Sequence, residues 1–197
     1  IGYGLAEAIK ELESTSRGFT PTEEFLERRI HGWTVKVHRD VPEEAIRLLD
    51  TRLQDIVRLV PPGAFEELRK VPIWFGGRDG RKGIAEYHPD RDWLEKNGYN
   101  PEKAKAVDLG RPEKFIHESR RPPFLVLHEL AHAYHDRVLG FDHAGIRAAS
   151  DEAVRAGKYQ SVLFWDGRKV KHYALTNPKE YFAEGTEAYF GTNDFYP

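Results

Sequence analysis

Two histidines four residues apart, with a glutamate directly after the first, sit inside an apolar stretch of this chain: Leu125-Val126-Leu127-His128-Glu129-Leu130-Ala131-His132. An apolar run of this kind belongs to a buried element, and polar side chains buried there without partners would be costly. On a helix the i, i+4 spacing stacks both imidazoles on one face, so two ring nitrogens can reach one ion. Glu129 then stands beside the ion rather than on it, where a carboxylate can take a proton from an activated water. With 9 histidines in the chain, about 0.04 accidental copies of the pattern are expected, so chance is the poorer reading. Cysteine is absent, which excludes disulfides, thiolate sites and cysteine nucleophiles. Any metal must use histidine and carboxylates, and one catalytic Zn2+ is the expected cofactor.

A catalytic zinc takes three protein ligands and keeps one position for water, so a third ligand has to come from elsewhere. His135 does not fit, because it lies about 10 Å further along the helix axis than His128. It is expected to support the site from outside or to face solvent. The stretch from Asp136 to His143 supplies neither the glycine turn nor the third histidine of the longer HExxHxxGxxH pattern. Glu180, Glu184 and Glu187 recur at i, i+4 and i+7 and share one helical face. Like charges stacked this way repel, and a nearby cation would relieve them. A plain acidic solvent face is the competing reading.

The rest of the chain alternates between helical and strand patterns. Leu5, Ala8, Ile9 and Leu12 predict a short amphipathic helix, Ser14 to Gly18 a linker, and Thr20-Pro21-Thr22-Glu23 a capped start for a second helix through Ile30. Residues 1–31 are therefore expected to form an N-terminal helical appendage, and 32–197 the catalytic domain. Trp33 to His38 alternates as a strand, and the stripe Ile46, Leu49, Leu53, Ile56, Val57, Val60 predicts a core helix stopped by Pro61-Pro62-Gly63. Val71 to Phe75 and Ile84 to His88 read as strands joined by a glycine-rich hairpin loop, which lacks the Lys-Ser/Thr ending of a phosphate cradle. A short strand is expected at Ala106 to Leu109, an apolar helix from Pro122-Pro123 to Gly140, and another helix over 144–156. A hairpin turns at Asp166-Gly167, and a last helix runs from its Asn177-Pro178 cap to Gly191.

With 30 Lys+Arg against 32 Asp+Glu the formal net charge is -2, which lacks the basic footprint of a nucleic-acid binder. No apolar run approaches the roughly 20 residues that a membrane span needs. A chain that opens at Ile1 and holds no methionine reads as processed or trimmed. Lack of both cysteine and methionine suits an oxidising or hot environment and points to a secreted protein, with the cytoplasm as the alternative. No feature sets an oligomeric state.

His128-Glu129-Leu130-Ala131-His132 followed by Glu180-Tyr181-Phe182-Ala183-Glu184 resembles the gluzincin metallopeptidases of the anthrax lethal factor type, whose pattern the clostridial Pro-Pro endopeptidases share. The resemblance spans roughly residues 125–190. It implies that Glu180 is the third zinc ligand and that Glu184 orients a zinc histidine. It also implies that Tyr173, seven residues before Glu180, points at the scissile carbonyl; a phenol there makes sense as a donor to a developing oxyanion. Such domains usually continue further, so Thr192 to Pro197 reads as the start of a truncated or separate extension. His172 and Trp165 share the hairpin and are either cleft-lining or packing residues.

The combined expectation is an α+β zincin-like domain, with a small twisted mixed sheet on the active-site helix and the glutamate helix crossing below. Its function would be that of a zinc metalloendopeptidase acting on a peptide or protein substrate. His128, His132 and Glu180 would bind zinc, Glu129 would act as general base, and Tyr173 would stabilise the oxyanion. A strand at 84–88 or 106–109 would hold the substrate by edge pairing. One rival is a partner-binding zinc protein similar to the bacterial titration factors that sequester a repressor. Retention of Glu129 argues against it, because a structural site has no use for a general base. A hydrolase acting on a non-peptide amide is the other.

Overall fold

Apolar and polar residues alternate along Trp33–His38, whereas Ile73–Phe75 and Ala106–Leu109 are buried throughout, the pattern of a mixed sheet whose inner strands are covered on both faces. The computed structural model describes residues 18–79, 83–118 and 124–196. In chain order the elements are β1 (Phe25–Ile30), β2 (Trp33–His38), α1 (Glu43–Leu59), α2 (Pro62–Leu68), β3 (Ile73–Phe75), β4 (Glu86–His88), α3 (Arg91–Lys96) and β5 (Ala106–Leu109). There follow α4 (Pro112–Glu118), α5 (Leu125–Tyr134), α6 (Ala144–Arg155), β6 (Val162–Phe164), β7 (Lys169–Val170), α7 (Pro178–Phe190) and β8 (Phe195–Tyr196).

The five-stranded sheet has the order β1-β2-β3-β5-β4. β2, β3 and β5 run parallel, and the two outer strands are antiparallel to their neighbours. Trp33, Val35, Val37, Ile73, Phe75, Tyr87, Val107 and Leu109 share one face and are buried in a single core with Ala45, Leu49, Leu53 and Ile56 of α1. Val126, Leu127, Leu130 and Ala133 of α5 complete that core. The intervening residues point to the other face, where Phe25, Trp74 and Ala106 form a smaller apolar cluster. The fold class is thus α+β with a mixed sheet, and among the described residues no helix is long and apolar enough to cross a membrane.

The structure corrects four sequence expectations. The helix expected through Ile30 is a single 3-10 turn at Thr22–Glu24 followed by β1. Thr20 does not cap it, because its Oγ1 accepts a hydrogen bond of 2.7 Å from the Arg78 main-chain nitrogen. The two-residue turn His31-Gly32, with φ of 46° and 95°, suits a tight hairpin and pairs Ile30 with Trp33. Residues 25–30 are therefore an outer strand of the main sheet, and a division at residue 31 would cut that hairpin. The amphipathic helix expected at Leu5 to Leu12 and most of the linker lie outside the described residues, as do Pro122 and Pro123.

β3 and β4 form no hairpin, because β5 lies between them. All three residues of β3 are buried, as a strand covered on both faces requires. The apolar helix is regular only to Tyr134 and continues as one π-helical turn, His135–Leu139, before Gly140 takes a φ of 81°. Finally, Phe195 and Tyr196 are not separately folded. They add β8 to β6, making a second antiparallel sheet of order β7-β6-β8. The Asp166-Gly167 turn between β6 and β7 stands as expected, with Gly167 at a φ of 87°.

Candidate metal centre

α5 and α7 cross beneath the β4 side of the sheet. α7 starts where the Asn177 side chain accepts hydrogen bonds from the main-chain nitrogens of Lys179 and Glu180, with Pro178 at the first helical position. This cap places Glu180 on the first turn, facing α5. His128 Nε2 lies 3.1 Å from Glu180 Oε2 and 3.1 Å from His132 Nε2. His132 Nε2 lies 3.3 Å from Glu180 Oε2. Three ligand atoms at the corners of so regular a triangle fit a zinc ion: tetrahedral bonds of 2.0–2.1 Å would set the ligand atoms about 3.3 Å apart. All three expected ligands are thus brought together, from two helices that the sequence separates by about fifty residues.

The charges around this triangle are strongly coupled. Burial disfavours a charge on His128, yet its hydrogen bonds to Glu180 and Glu187 outweigh that and lift it to about 11. Burial likewise works against Glu180, but hydrogen bonds to the two imidazoles hold it down to about 2. Carboxylates that hold a proton so firmly on an imidazole are suited to hold a metal cation there instead.

Behind the triangle, His128 Nδ1 is 3.2 Å from Glu187 Oε1 and 3.8 Å from Glu184 Oε1. A metal-bound histidine is oriented by the acceptor on its other ring nitrogen, and in this geometry that acceptor is Glu187 rather than Glu184. Glu184 instead accepts a hydrogen bond of 2.7 Å from Asn193 Nδ2. Burial raises its carboxyl to about 7. Glu187 was visible in the sequence as the third member of the i, i+4, i+7 series, but spacing alone could not rank it above Glu184.

Glu129 is buried beside the triangle, and burial raises its pKa above the usual carboxylate range. Its Oε2 accepts a 2.7 Å hydrogen bond from the main-chain nitrogen of Tyr87. That nitrogen points away from β5, along the free edge of β4. The bond aims the carboxylate into the cleft, and no sequence motif announces it. The Tyr87 hydroxyl donates to Asp136 Oδ2 at 2.6 Å, and Lys105 Nζ donates to the same oxygen at 2.6 Å. The outer strand is thereby tied to the segment that follows α5.

A cavity of about 550 Å3 contains His128, Glu129, His132, Tyr173 and Glu180, with Phe164 and Phe195 from the second sheet on its wall. Tyr173 lies on a 3-10 turn, Tyr173–Leu175, rather than a strand, and is half exposed in this cleft. Burial and the nearby Glu180, Glu129 and Glu184 raise its hydroxyl pKa, so it keeps its proton at neutral pH. His172 stacks on Phe195 at 4.3 Å and accepts a hydrogen bond from the Ala174 nitrogen, a packing role. Trp165 is exposed and not part of the cavity wall. His135 is fully buried between Phe141 and Phe182, so it neither faces solvent nor joins the ligand cluster. A further cavity of about 600 Å3, on another face of α5, is lined by Leu127, Ala131, Ile146 and Phe182 and holds no ligand cluster. No known family, no curated protein and no solved structure matches this chain.

Proposed function

We propose that this protein is a zinc metalloendopeptidase of zincin-like fold, similar to the gluzincins of the lethal factor type. The observation that carries this reading is the triangle of His128, His132 and Glu180, with a buried carboxylate, Glu129, beside it but outside it. A zinc ion held by those three residues would supply Lewis acidity, polarising a carbonyl and lowering the pKa of water. Glu129, with a raised pKa, is suited to accept a proton from the attacking water and return it to the leaving amine. Tyr173 keeps its proton and stands in the same cleft, so its hydroxyl can donate to the oxygen on which negative charge develops.

The sheet order supports one mode of substrate binding. β5 is an inner strand with both edges paired, which removes it as a docking strand; β4 is an outer strand at the cleft, and its outward Tyr87 amide donates to Glu129, so an incoming peptide would have to take over that hydrogen bond or pair beside it. An extended peptide would add to β4, main chain to main chain. The test is mass-spectrometric cleavage of a diverse peptide library by the zinc-loaded protein, with Glu129→Ala as control. Cleavage by the wild type alone, with zinc retained by the variant, is the expected outcome. If neither protein cleaves any peptide, the endopeptidase reading falls and the partner-binding alternative takes its place.

A further inference from the structure

Across β4 from the metal centre lies a second recess of about 540 Å3, whose wall is formed by Glu86, His88, Asp90, Trp93, Asn97 and Tyr99. It and the metal cleft share Glu86 and Tyr87, so the two adjoin along the same outer strand. Side chains of a strand point alternately to opposite faces of its sheet. Tyr87 points to the helix face and reaches Asp136, whereas Glu86 and His88 point to the other face. A peptide added to the edge of β4 obeys the same alternation, so its side chains fall by turns towards the metal centre and towards this recess.

The chemistry of the recess is specific. Trp93 and Tyr99 lie 5.5 Å apart, and His88 lies 6.2 Å from Trp93 and 5.3 Å from Tyr99, making a continuous aromatic wall. Trp93 is nearly half exposed, in the first turn of a short helix. Asp90 uses one carboxylate oxygen, Oδ1, to cap α3 through the Trp93 nitrogen. Glu86 adds a second carboxylate, and no lysine or arginine lines the recess. The buried Lys103 pairs with Asp79 and Asp108, at 3.1 and 2.8 Å. His88 is 4% exposed, and its Nε2 makes no hydrogen bond among the described residues, with Asp108 Oδ2 at 3.6 Å and Glu86 Oε2 at 4.0 Å as the carboxylates it faces. An aromatic wall and two carboxylates, with no lysine or arginine in the lining, suit a planar cation, held by stacking and charge together.

We propose that this recess is a substrate subsite that takes an arginine side chain of an extended peptide bound along β4. The proposal rests on the metallopeptidase reading for its biological meaning, and its test is a binding measurement that needs no turnover. Octapeptides carrying one arginine at each position in turn, or neutral citrulline in its place, are titrated into the zinc-loaded Glu129→Gln protein. Arginine at one position should bind about tenfold more tightly than citrulline, the range in which a partly desolvated cation–aromatic contact acts. Asp90→Asn, which keeps the helix cap but removes the charge, and Trp93→Leu should each abolish most of that preference at unchanged zinc content. Equal binding of arginine and citrulline at every position overturns the subsite, and so does a preference that survives in both variants. Cleavage by the wild type is read separately: selective binding without turnover would refute the peptidase and leave the arginine site standing.

Discussion

Glu187 and Glu184 lie one turn apart on α7 and differ in what they touch. Glu187 is within hydrogen-bond reach of the free nitrogen of His128, whereas Glu184 holds Asn193 and titrates near 7. Glu187→Gln should therefore weaken zinc binding about tenfold to a hundredfold, and Glu184→Gln by no more than about threefold. Competition with a fluorescent chelator measures both, and equal losses would return the orienting role to Glu184. His135 is a different case: it is fully buried and both ring nitrogens lack a hydrogen-bond partner among the described residues. Burial lowers its pKa below the ordinary 6.5, and the charges of His132, His143 and Lys179 act in the same direction while Asp136 opposes them. The folded state thus binds this proton less tightly than the unfolded chain does. Its share of stability is complete above pH 6.5 and is lost as pH falls from there to the lowered value. His135→Leu should stabilise the protein at neutral pH by roughly 1–3 kcal/mol. It should also flatten the decline below pH 6.5 in urea melts taken across that range; an unchanged decline would assign it to other groups.

At the level of the elements, the two site helices meet at a glycine. A Cβ on Gly191, which ends α7, would run into the ring of Phe124, the residue that opens α5. Gly185, in the middle of α7, faces open space. Gly191→Ala should thus cost about 1–3 kcal/mol through forced displacement of that ring. Gly185→Ala should instead add about 0.5–1 kcal/mol, as for any unencumbered helix-interior glycine. Denaturant midpoints of the two variants should move in opposite directions, and parallel shifts would contradict the packing described. These elements also show what could be read in the chain itself. α1, α5 and α7 were legible because their patterns repeat within one helix and their ends carry local signals such as Asn177 and Pro61. β1 was misread because Thr20-Pro21-Thr22-Glu23 is a sound local cap, and the contact that overrides it, Thr20 to Arg78, spans 58 residues. β4 was legible as a strand but its neighbour was not, since pairing with β5 rather than β3 depends on which strand is buried on both faces. That His128, His132 and Glu180 come together was legible from two motifs; the Tyr87 main-chain bond to Glu129 was not, because a backbone donor leaves no mark on residue identity.

Over the whole molecule, the candidate metal centre lies where two parts of the fold meet. α5 belongs to the large core under the main sheet, while α7 leads into β8 and the second sheet. Asn193 fastens the end of α7 to the strand that follows: it donates to both the main chain and the carboxylate of Glu184, and accepts from the Phe195 nitrogen. A cation bound by His128, His132 and Glu180 would therefore pin the second sheet to the core. Binding that requires both parts in place stabilises only the folded chain. Zinc at a hundred times its dissociation constant should add about 2.7 kcal/mol. For a chain of 197 residues that corresponds to a rise in melting temperature of roughly 5–10 °C. Glu180→Ala removes the one proposed ligand contributed by α7, so its melting temperature should be nearly insensitive to zinc, whereas Glu129→Ala, which removes no proposed ligand, should respond as the wild type does. Calorimetry of the three proteins with zinc and with chelator makes the comparison. A full zinc response in Glu180→Ala would mean that the ion is held by α5 without α7, and the coupling between core and second sheet would have to come from packing alone.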